Sequence, residues 1–490
     1  MKLMKKILQK YRDMSLPVKA SLWFVACGVL KDAIDVLVTP IFTRILTKEQ
    51  YGIFNVYSSW FQIVKIIFSL YLFSEVFNVG LVKFEKNRDR FVSATLGFVT
   101  ALTGFYFGLY LILHETVNRI VGLPWYLVVL LFVHVLVFVP YYCWIRRERY
   151  DYQYRNVVVV SMLYVILQPV TALAAILWIK PSINPGCTRV IAAVGVQIVI
   201  GTVLYIGMMR RGRTFFDKSY WKYSLKTGIE LVPFNLSKVI LNQSDRLMIN
   251  YFSGSGDTAV YSVAHSAAFV LQVVTEALNG AFVPWFYRRL KAREWTGVRN
   301  VINGLFVIVS VCVLGVDMIA PEIMKILGSK DYYEGVYCIP PLVFSVFLIF
   351  TYSIFTNIEL FFGKNIYVTV ASSVGMVVNI LLNAIFIPKF GIIAASYTTL
   401  VGYLTICIGH FIFMERCLHA EKIKVTDLID LRVIPAVAAV MLLFTVSCVL
   451  LYQADALRWA FIVVLLLAVI FTREKWLRLI KHLKGEKASR

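Results

Sequence analysis

Residues 127–178 read LVVLLFVHVLVFVPYYCWIRRERYDYQYRNVVVVSMLYVILQPVTALAAILW. Two apolar runs, each long enough to cross a hydrocarbon core of about 30 Å as a helix, flank a stretch carrying Arg146, Arg147, Arg149 and Arg155. Reading outward, the chain divides into about fourteen such apolar segments, each with the roughly 20 residues a span needs. They are centred near residues 30, 65, 102, 134, 168, 198, 240, 270, 310, 347, 377, 402, 442 and 464. Positive charge falls in every second gap. KFEKNRDR (83–90), RRERYDYQYR (146–155), RRGRTFFDKSYWKYSLK (210–226), YRRLKAREWTGVR (287–299), the Gly363-Lys364-Asn365 turn and ERCLHAEKIKVTDLIDLR (415–432), with the two tails, hold most of the 50 Lys and Arg. The gaps between them are short and poorly charged, the longest running from Pro321 to Gly335. Cationic loops stay on the cytoplasmic side, so both termini are expected there. The fold class is an all-α integral membrane protein.

Composition agrees. A chain of 490 residues that is 59% hydrophobic, with mean hydropathy +0.73, is too apolar for a soluble globule. The net charge of +22 is read as loops facing an anionic leaflet, not as a nucleic-acid surface, because no soluble fold presents it. The 8 Cys are scattered, without a CxxC pair or a neighbouring His at ligand spacing. No disulfide framework, metal or cofactor is expected. No cleavable signal peptide is visible; residues 1–16, with Lys2, Lys5, Lys6, Lys10 and Arg12 beside Leu3, Ile7 and Leu8, read as a basic amphipathic helix on the inner surface. The tail 473–490 repeats the device around Trp476, Ile480 and Leu483.

The long cationic loop 210–226 divides the chain. An N-terminal lobe is expected at 17–209 (helices 1–6), a C-terminal lobe at 227–414 (helices 7–12) and two further helices at 433–472. Residues 22–60 lie without a gap on 229–267, setting TKEQYGIFNVYSS over GSGDTAVYSVAHS. Hydropathy and buried lysines, more than identity, carry that likeness. Two six-helix lobes around a central cavity follow, a usual plan for transporters built from repeats.

Ionisable residues inside spans call for a cause, since each costs about 2.5–3.5 kcal/mol at the bilayer centre. The first span holds Lys31, Asp32 and Asp35; the second holds Lys65 and Glu75. In the seventh stand Glu230, Lys238, Asn242, Gln243, Asp245 and Arg246, with Lys238, Asn242 and Asp245 on one stripe. In the eighth, His265, Gln272, Glu276 and Asn279 share a face. Polar stripes thus gather in the first two helices of each lobe, where they are expected to line a hydrated cavity. The cations Lys31, Lys65, Lys238 and Arg246 are the candidate anion ligands. Asp32, Asp35, Asn242, Asp245, His265, Gln272 and Glu276 are candidates for polar contacts or coupling, His265 as a proton carrier or a satisfied contact. The bland reading stays open: Lys31 with Asp35, and Arg246 with Asp245 or Glu230, as neutralised pairs. His134 reads as structural, Asn379 and Asn383 as bonded to a neighbouring helix, and Arg44 as snorkelling to headgroups.

No enzyme constellation is present in the sequence: no HExxH, nucleophile elbow or Walker loop. FSGSGDTA (252–259) reads as a tight turn, not a phosphate cradle.

VTPIFTRILTKEQYGIFNVYSS (38–59) resembles the opening signature of bacterial polysaccharide (O-antigen type) flippases of the multidrug/oligosaccharidyl-lipid/polysaccharide exporter superfamily. SDRLMINYFSGSGDTAVYSVA (244–264) resembles its recurrence in the second lobe, and ILGSKDYYEGVYCIPPL (326–342) and NILLNAIFIPKFGIIAASYTTLVGYL (379–404) resemble the ninth-to-twelfth-helix region. KPSINPGCTRVIAAVG (180–195) departs from the second-lobe pattern. The resemblance implies two bundles, alternating access and an undecaprenyl-diphosphate-linked oligosaccharide carried to the outer leaflet of the bacterial cytoplasmic membrane. Lys31, Lys65, Lys238, Asp245 and Arg246 fall in that plan's cavity-lining helices. Membrane lipids, a polysaccharide polymerase and glycosyltransferases are the implied partners. An ion-coupled drug exporter of the same superfamily would show acidic rather than cationic residues there. A membrane glycosyltransferase or polymerase would need a larger outer loop.

Overall fold

The computed structural model describes residues 14–178 and 184–471. Among them helices and short connections account for the chain, and no strand occurs. In order they are α1 (Leu16–Ile45), α2 (Lys48–Ser69), α3 (Glu75–Lys83), α4 (Arg88–Val121), α5 (Trp125–Tyr150), α6 (Tyr154–Trp178), α7 (Pro185–Gly212), α8 (Lys218–Ser253), α9 (Ser255–Ala292), α10 (Val298–Leu327), α11 (Ile339–Phe361), α12 (Asn365–Ala420), the single turn α13 (Val425–Leu428), α14 (Val433–Leu451) and α15 (Asp455–Phe471). All the span centres read from the sequence fall inside helices, those at 377 and 402 sharing α12. That helix breaks at Gly391, whose φ of 61° is left-handed. Among the described residues 8 helices are long and apolar enough to cross a membrane, which makes this a multi-pass membrane protein. The amphipathic segment at the start and the basic tail lie outside the described residues.

Several boundaries correct the sequence reading. The second span ends at Ser69, where Leu70 and Tyr71 turn into positive φ of 49° and 59°; Glu75 therefore sits on the separate α3. The cationic gaps are largely helical. α5 carries Arg146, Arg147 and Arg149 in its last turns, α9 runs through Arg289 and Lys291, and α8 starts at Lys218. Long basic side chains keep their heads in water while the backbone stays bonded, so a helix need not stop where the apolar run does. The longest outer gap is also helical: Pro321 lies within α10, and Lys330–Cys338 forms a 3₁₀ stretch.

The chain forms two compact units, Met1–Val239 and Ile240–Arg490, parting within α8. In the first, α7 is the hub, packed on α2, α4, α5 and α6. The 210–226 stretch is anchored there: Trp221 Nε1 donates to Ala94 O at 2.9 Å, and Phe84, Phe91, Tyr220 and Tyr223 form an aromatic cluster. In the second unit α11 is the hub, buried against α9, α10, α12 and α14. Outward faces such as Val199, Val203 and Ile206 on α7 are exposed and apolar, as lipid requires.

Two helix starts line up on the repeat register. Thr47 caps α2, its hydroxyl accepting from Gln50 N while the Gln50 side chain accepts from Thr47 N. Gly254 caps α9, and it is the residue that falls under Thr47 when 22–60 is laid on 229–267.

Candidate functional site

In the first unit α1, α5 and α6 line a half-open cavity of about 180 Å³. Its polar lining is Lys31 from α1, Arg146, Arg149, Tyr141 and Tyr142 from α5, and Ser161 and Tyr164 from α6. The α5 residues reach it because Tyr142, Ile145 and Arg149 recur at helical spacing on one face, with Tyr141 and Arg146 beside them. Arg146 Nε donates to Phe73 O at 2.6 Å, and the Arg149 guanidinium lies 4.5 Å from the Phe24 ring centre. Tyr141 OH donates to Ser161 Oγ at 3.4 Å. Among the described residues that line the cavity none is a carboxylate.

Behind this wall a buried network sets the tyrosines. Tyr164 OH donates to Gln197 Oε1 at 2.8 Å; His134 Nε2 meets the same oxygen at 2.8 Å, and its Nδ1 meets Tyr57 OH at 3.1 Å. His134, stacked on Phe61 with centroids 3.6 Å apart, is thus a structural residue with both nitrogens engaged. Lys65 is boxed by Phe61, Phe73 and Phe138, its Nζ 5.0 to 5.8 Å from the ring centres, and it donates to Gln62 Oε1.

The second unit holds a different constellation. Asp245 on α8 is fully buried and receives four donors. Tyr261 OH and Thr399 Oγ1 reach Oδ2 at 2.7 and 2.5 Å; Asn383 Nδ2 and Asn379 Nδ2 reach Oδ1 at 2.7 and 3.4 Å. Asn379 and Asn383 accordingly bond a neighbouring helix, through its buried acid. Arg246 does not share these partners. Its Nε donates to Ser262 Oγ at 3.1 Å, and its Nη1 to Asn242 O and Gln243 Oε1 at 3.0 and 3.1 Å. Tyr403 OH donates to Asn242 Oδ1 at 2.9 Å.

The candidates named from sequence are therefore dispersed. Lys31 lines the α1–α5–α6 cavity; Asp35, one turn along α1, is exposed, and the side chain of Asp32 lies outside the described residues. Lys238 is exposed with its Nζ 5.4 Å from the Phe234 ring centre, whereas Asp245 on the same stripe is sealed. His265 is half-buried and stacked on Phe269 at 3.9 Å. Gln272 is half-buried and Glu276 exposed. Asn279 Oδ1 accepts from Asn357 Nδ2 at 3.1 Å. Arg146, Arg149, Tyr142, Tyr164 and Thr399 were not among the candidates; the aromatic-basic periodicity at the end of α5 is the signal that points to the first three. Among the described residues no group of three or more His, Cys, Asp or Glu is placed to hold a metal.

The family described as polysaccharide biosynthesis protein matches residues 18–290. The chain belongs to that family. Over 246 residues the chain is 24% identical to an uncharacterised membrane protein of Methanocaldococcus jannaschii, covering 48% of each chain. Over 146 residues it is 30% identical to a protein of the Lsg locus of Haemophilus influenzae, covering 29% of this chain and 36% of that one. It thus spans about half or less of the curated relatives it matches. Among solved structures it is similar to the lipid II flippase MurJ in an inward closed conformation, at TM-score 0.67 and 12% identity over 92% of this chain and 99% of that one. An inward-facing multidrug resistance MATE transporter of the MOP superfamily gives TM-score 0.58 and 13% identity, over 80% and 95%. At such identities these two likenesses show a shared fold.

Proposed function

We propose that this protein is a flippase that moves an undecaprenyl-diphosphate-linked oligosaccharide from the inner to the outer leaflet of the bacterial cytoplasmic membrane. In this reading fourteen helices form two six-helix lobes with two C-terminal helices added, both termini are cytoplasmic, and access to the substrate alternates between the two faces. The observation that carries it is the Lys31, Arg146 and Arg149 cavity, basic and tyrosine-lined, with no acid among the described residues of its wall. Two guanidiniums and an ammonium supply charge-assisted, partly bidentate bonds to a diphosphate. Tyrosine rings and hydroxyls offer stacking faces and hydrogen bonds to sugars. The polyprenyl tail stays in lipid, so only the polar head needs shielding. Outward movement of an anion is also favoured by an inside-negative potential, by about 2.3 kcal/mol per charge per 100 mV. A drug exporter of the same fold would need an acidic wall to select hydrophobic cations, and the described residues of that wall are basic, aromatic and apolar.

The test is complementation of a strain that builds a lipid-linked glycan but lacks its own flippase. Arg149→Gln and Lys31→Gln should each cut surface glycan at least about tenfold, the loss of roughly one charge-assisted bond of 1.5–3 kcal/mol, at unchanged abundance of the protein. Normal surface glycan from the Lys31→Gln, Arg149→Gln double variant would refute the assignment of this cavity to the phosphates.

A further inference from the structure

A second ionisable pair is sealed inside the C-terminal unit, away from Asp245. Glu359 on α11 and His410 on α12 both have wholly buried side chains. His410 Nδ1 lies 2.9 and 3.0 Å from the two Glu359 oxygens. Nε2, on the far edge of the same ring, is buried and has no hydrogen-bond partner among the described residues. The imidazole face stacks on Tyr352 at 5.4 Å, and Tyr352 stacks on Tyr403 at 6.4 Å. Tyr403 in turn donates to Asn242 Oδ1. On α12 the residues Thr399, Tyr403 and His410 share one face, within about 40° at 100° per residue. The helix face that carries His410 is therefore the face that holds Asp245 and Asn242 of α8.

We propose that Glu359 and His410 form the binding site for a coupling proton; this rests on the transport reading above. With the imidazole neutral, Nδ1–H donates to the carboxylate and the pair carries one negative charge. One proton from water taken up at Nε2 gives carboxylate and imidazolium, with net charge zero and no electron transferred. A shift of the Nδ1 proton within the hydrogen bond gives the equivalent carboxylic acid and neutral imidazole, so the pair titrates as a unit. Burial without counter-charge penalises the unprotonated pair, because an isolated ion in low dielectric is expensive. A sealed pair therefore holds its proton and an opened, hydrated one releases it.

On its own elements the pair has Tyr352 above the ring, Cys417 farther along α12, and Lys364 in the turn after α11, whose N donates to Glu359 O at 2.9 Å. The α9 face meets α11 through Asn279, bonded to Asn357, and through the Tyr287 ring against Phe361. The α11–α12 turn, on the side assigned to the cytoplasm, is the short route out.

Two arms test the assignment. Full-length protein in phosphatidylethanolamine–phosphatidylglycerol vesicles is titrated with acid while the carboxyl infrared band is followed. Wild type should show a buried carboxyl–imidazole titration that Glu359→Gln abolishes and that His410→Gln converts to a lone-carboxyl titration. Identical spectra for wild type and Glu359→Gln would overturn the proposal. In glycan-producing cells, collapse of the proton gradient should slow wild-type export on the order of tenfold, a fraction of the roughly 50-fold that one charge gains per 100 mV. Glu359→Gln should export slowly with or without the gradient; if it fails to insert, His410→Gln carries the same comparison. Wild-type export that ignores the gradient would sink the proton site and leave the flippase reading standing. A normal infrared titration with no glycan export would do the reverse.

Discussion

Arg458, at the start of α15, is bound to Glu322 of α10 by two parallel bonds, Nη1 to Oε2 at 2.6 Å and Nη2 to Oε1 at 2.7 Å. Asp455 and Met318 O take further bonds at 2.7 and 3.2 Å, and Tyr452 OH donates to Asp317 O at 2.9 Å. The turn between α14 and α15 is thereby clasped to α10. The guanidinium is almost wholly buried, while Glu322 keeps contact with solvent. Arg458→Met should cost about 2–3 kcal/mol, below the 3–5 kcal/mol of a fully buried pair, because Glu322 can rehydrate. A lowered unfolding temperature in detergent, with faster proteolysis at the α14–α15 turn, is the expected result. Lys at this position should recover less than half, lacking the fork that matches a carboxylate.

The Asp245 node gives a sharper test of chemistry against shape. Four donors converge on one carboxylate, and an amide of the same size would turn an NH₂ group toward Asn383 or Tyr261. Asp245→Asn should therefore destabilise the C-terminal unit by about 3 kcal/mol, as expected when a buried acceptor is lost and donors are left unpaired. Asp245→Ala adds a cavity and should be worse. Equal thermal stability of the Asn variant and wild type would show the carboxyl to be neutral in place.

Much of this was legible in the sequence, and the failures have physical causes. The span centres, the turn at Gly254 and the alternation of charge follow from hydropathy, because lipid forces every apolar stretch into a helix. What periodicity cannot reveal is where a helix stops once its side chains are long enough to leave the bilayer. Arg146 and Arg149 were read as loop residues for that reason, although they end a continuous α5. Lys31 and Lys65 were legible as cations within spans, although Lys31 proves exposed and Lys65 half-buried; the aromatic box around Lys65 was not, since Phe73 and Phe138 join it only through tertiary packing. Glu359 is the one charged residue between 339 and 361, but its partner His410 is brought to it by the pairing of α11 with α12. Arg246 beside Asp245 suggested an ion pair from adjacency, yet consecutive residues on a helix point about 100° apart and here take separate partners.

Gly201 shows how closely α7 lies against α5. A Cβ built there would fall 2.3 Å from Val137 O and 2.7 Å from Val137 Cβ, so backbone would have to move. Gly207, two turns along the same helix, would meet nothing within 4 Å. Gly201→Ala should destabilise by about 1–3 kcal/mol through overpacking. Gly207→Ala should be neutral or stabilising by about 0.5–1 kcal/mol, from the entropy a glycine loses in a helix. Thermal unfolding of the two variants side by side checks the prediction, since both make the same chemical change.

The last prediction concerns pH. Asp430, in the stretch between α13 and α14, accepts from the Arg299 guanidinium and from Arg432 N at 3.1 Å. The Arg299 bond, then the backbone bond, holds the Asp430 carboxyl below its ordinary value of 3.8. A carboxyl whose folded value is depressed binds its proton more readily when unfolded, so the contact stabilises the fold above the unfolded value. That contribution is present at neutral pH and is lost as pH falls through the folded value, below 3.8. Comparing wild type with Arg299→Gln across an acid series should show a stability gap that is level down to the ordinary aspartate range and closes beneath it. Because both groups face water, the gap should be small and shrink with salt. A gap that widened on acidification would mean that Asp430 is not the partner through which Arg299 acts.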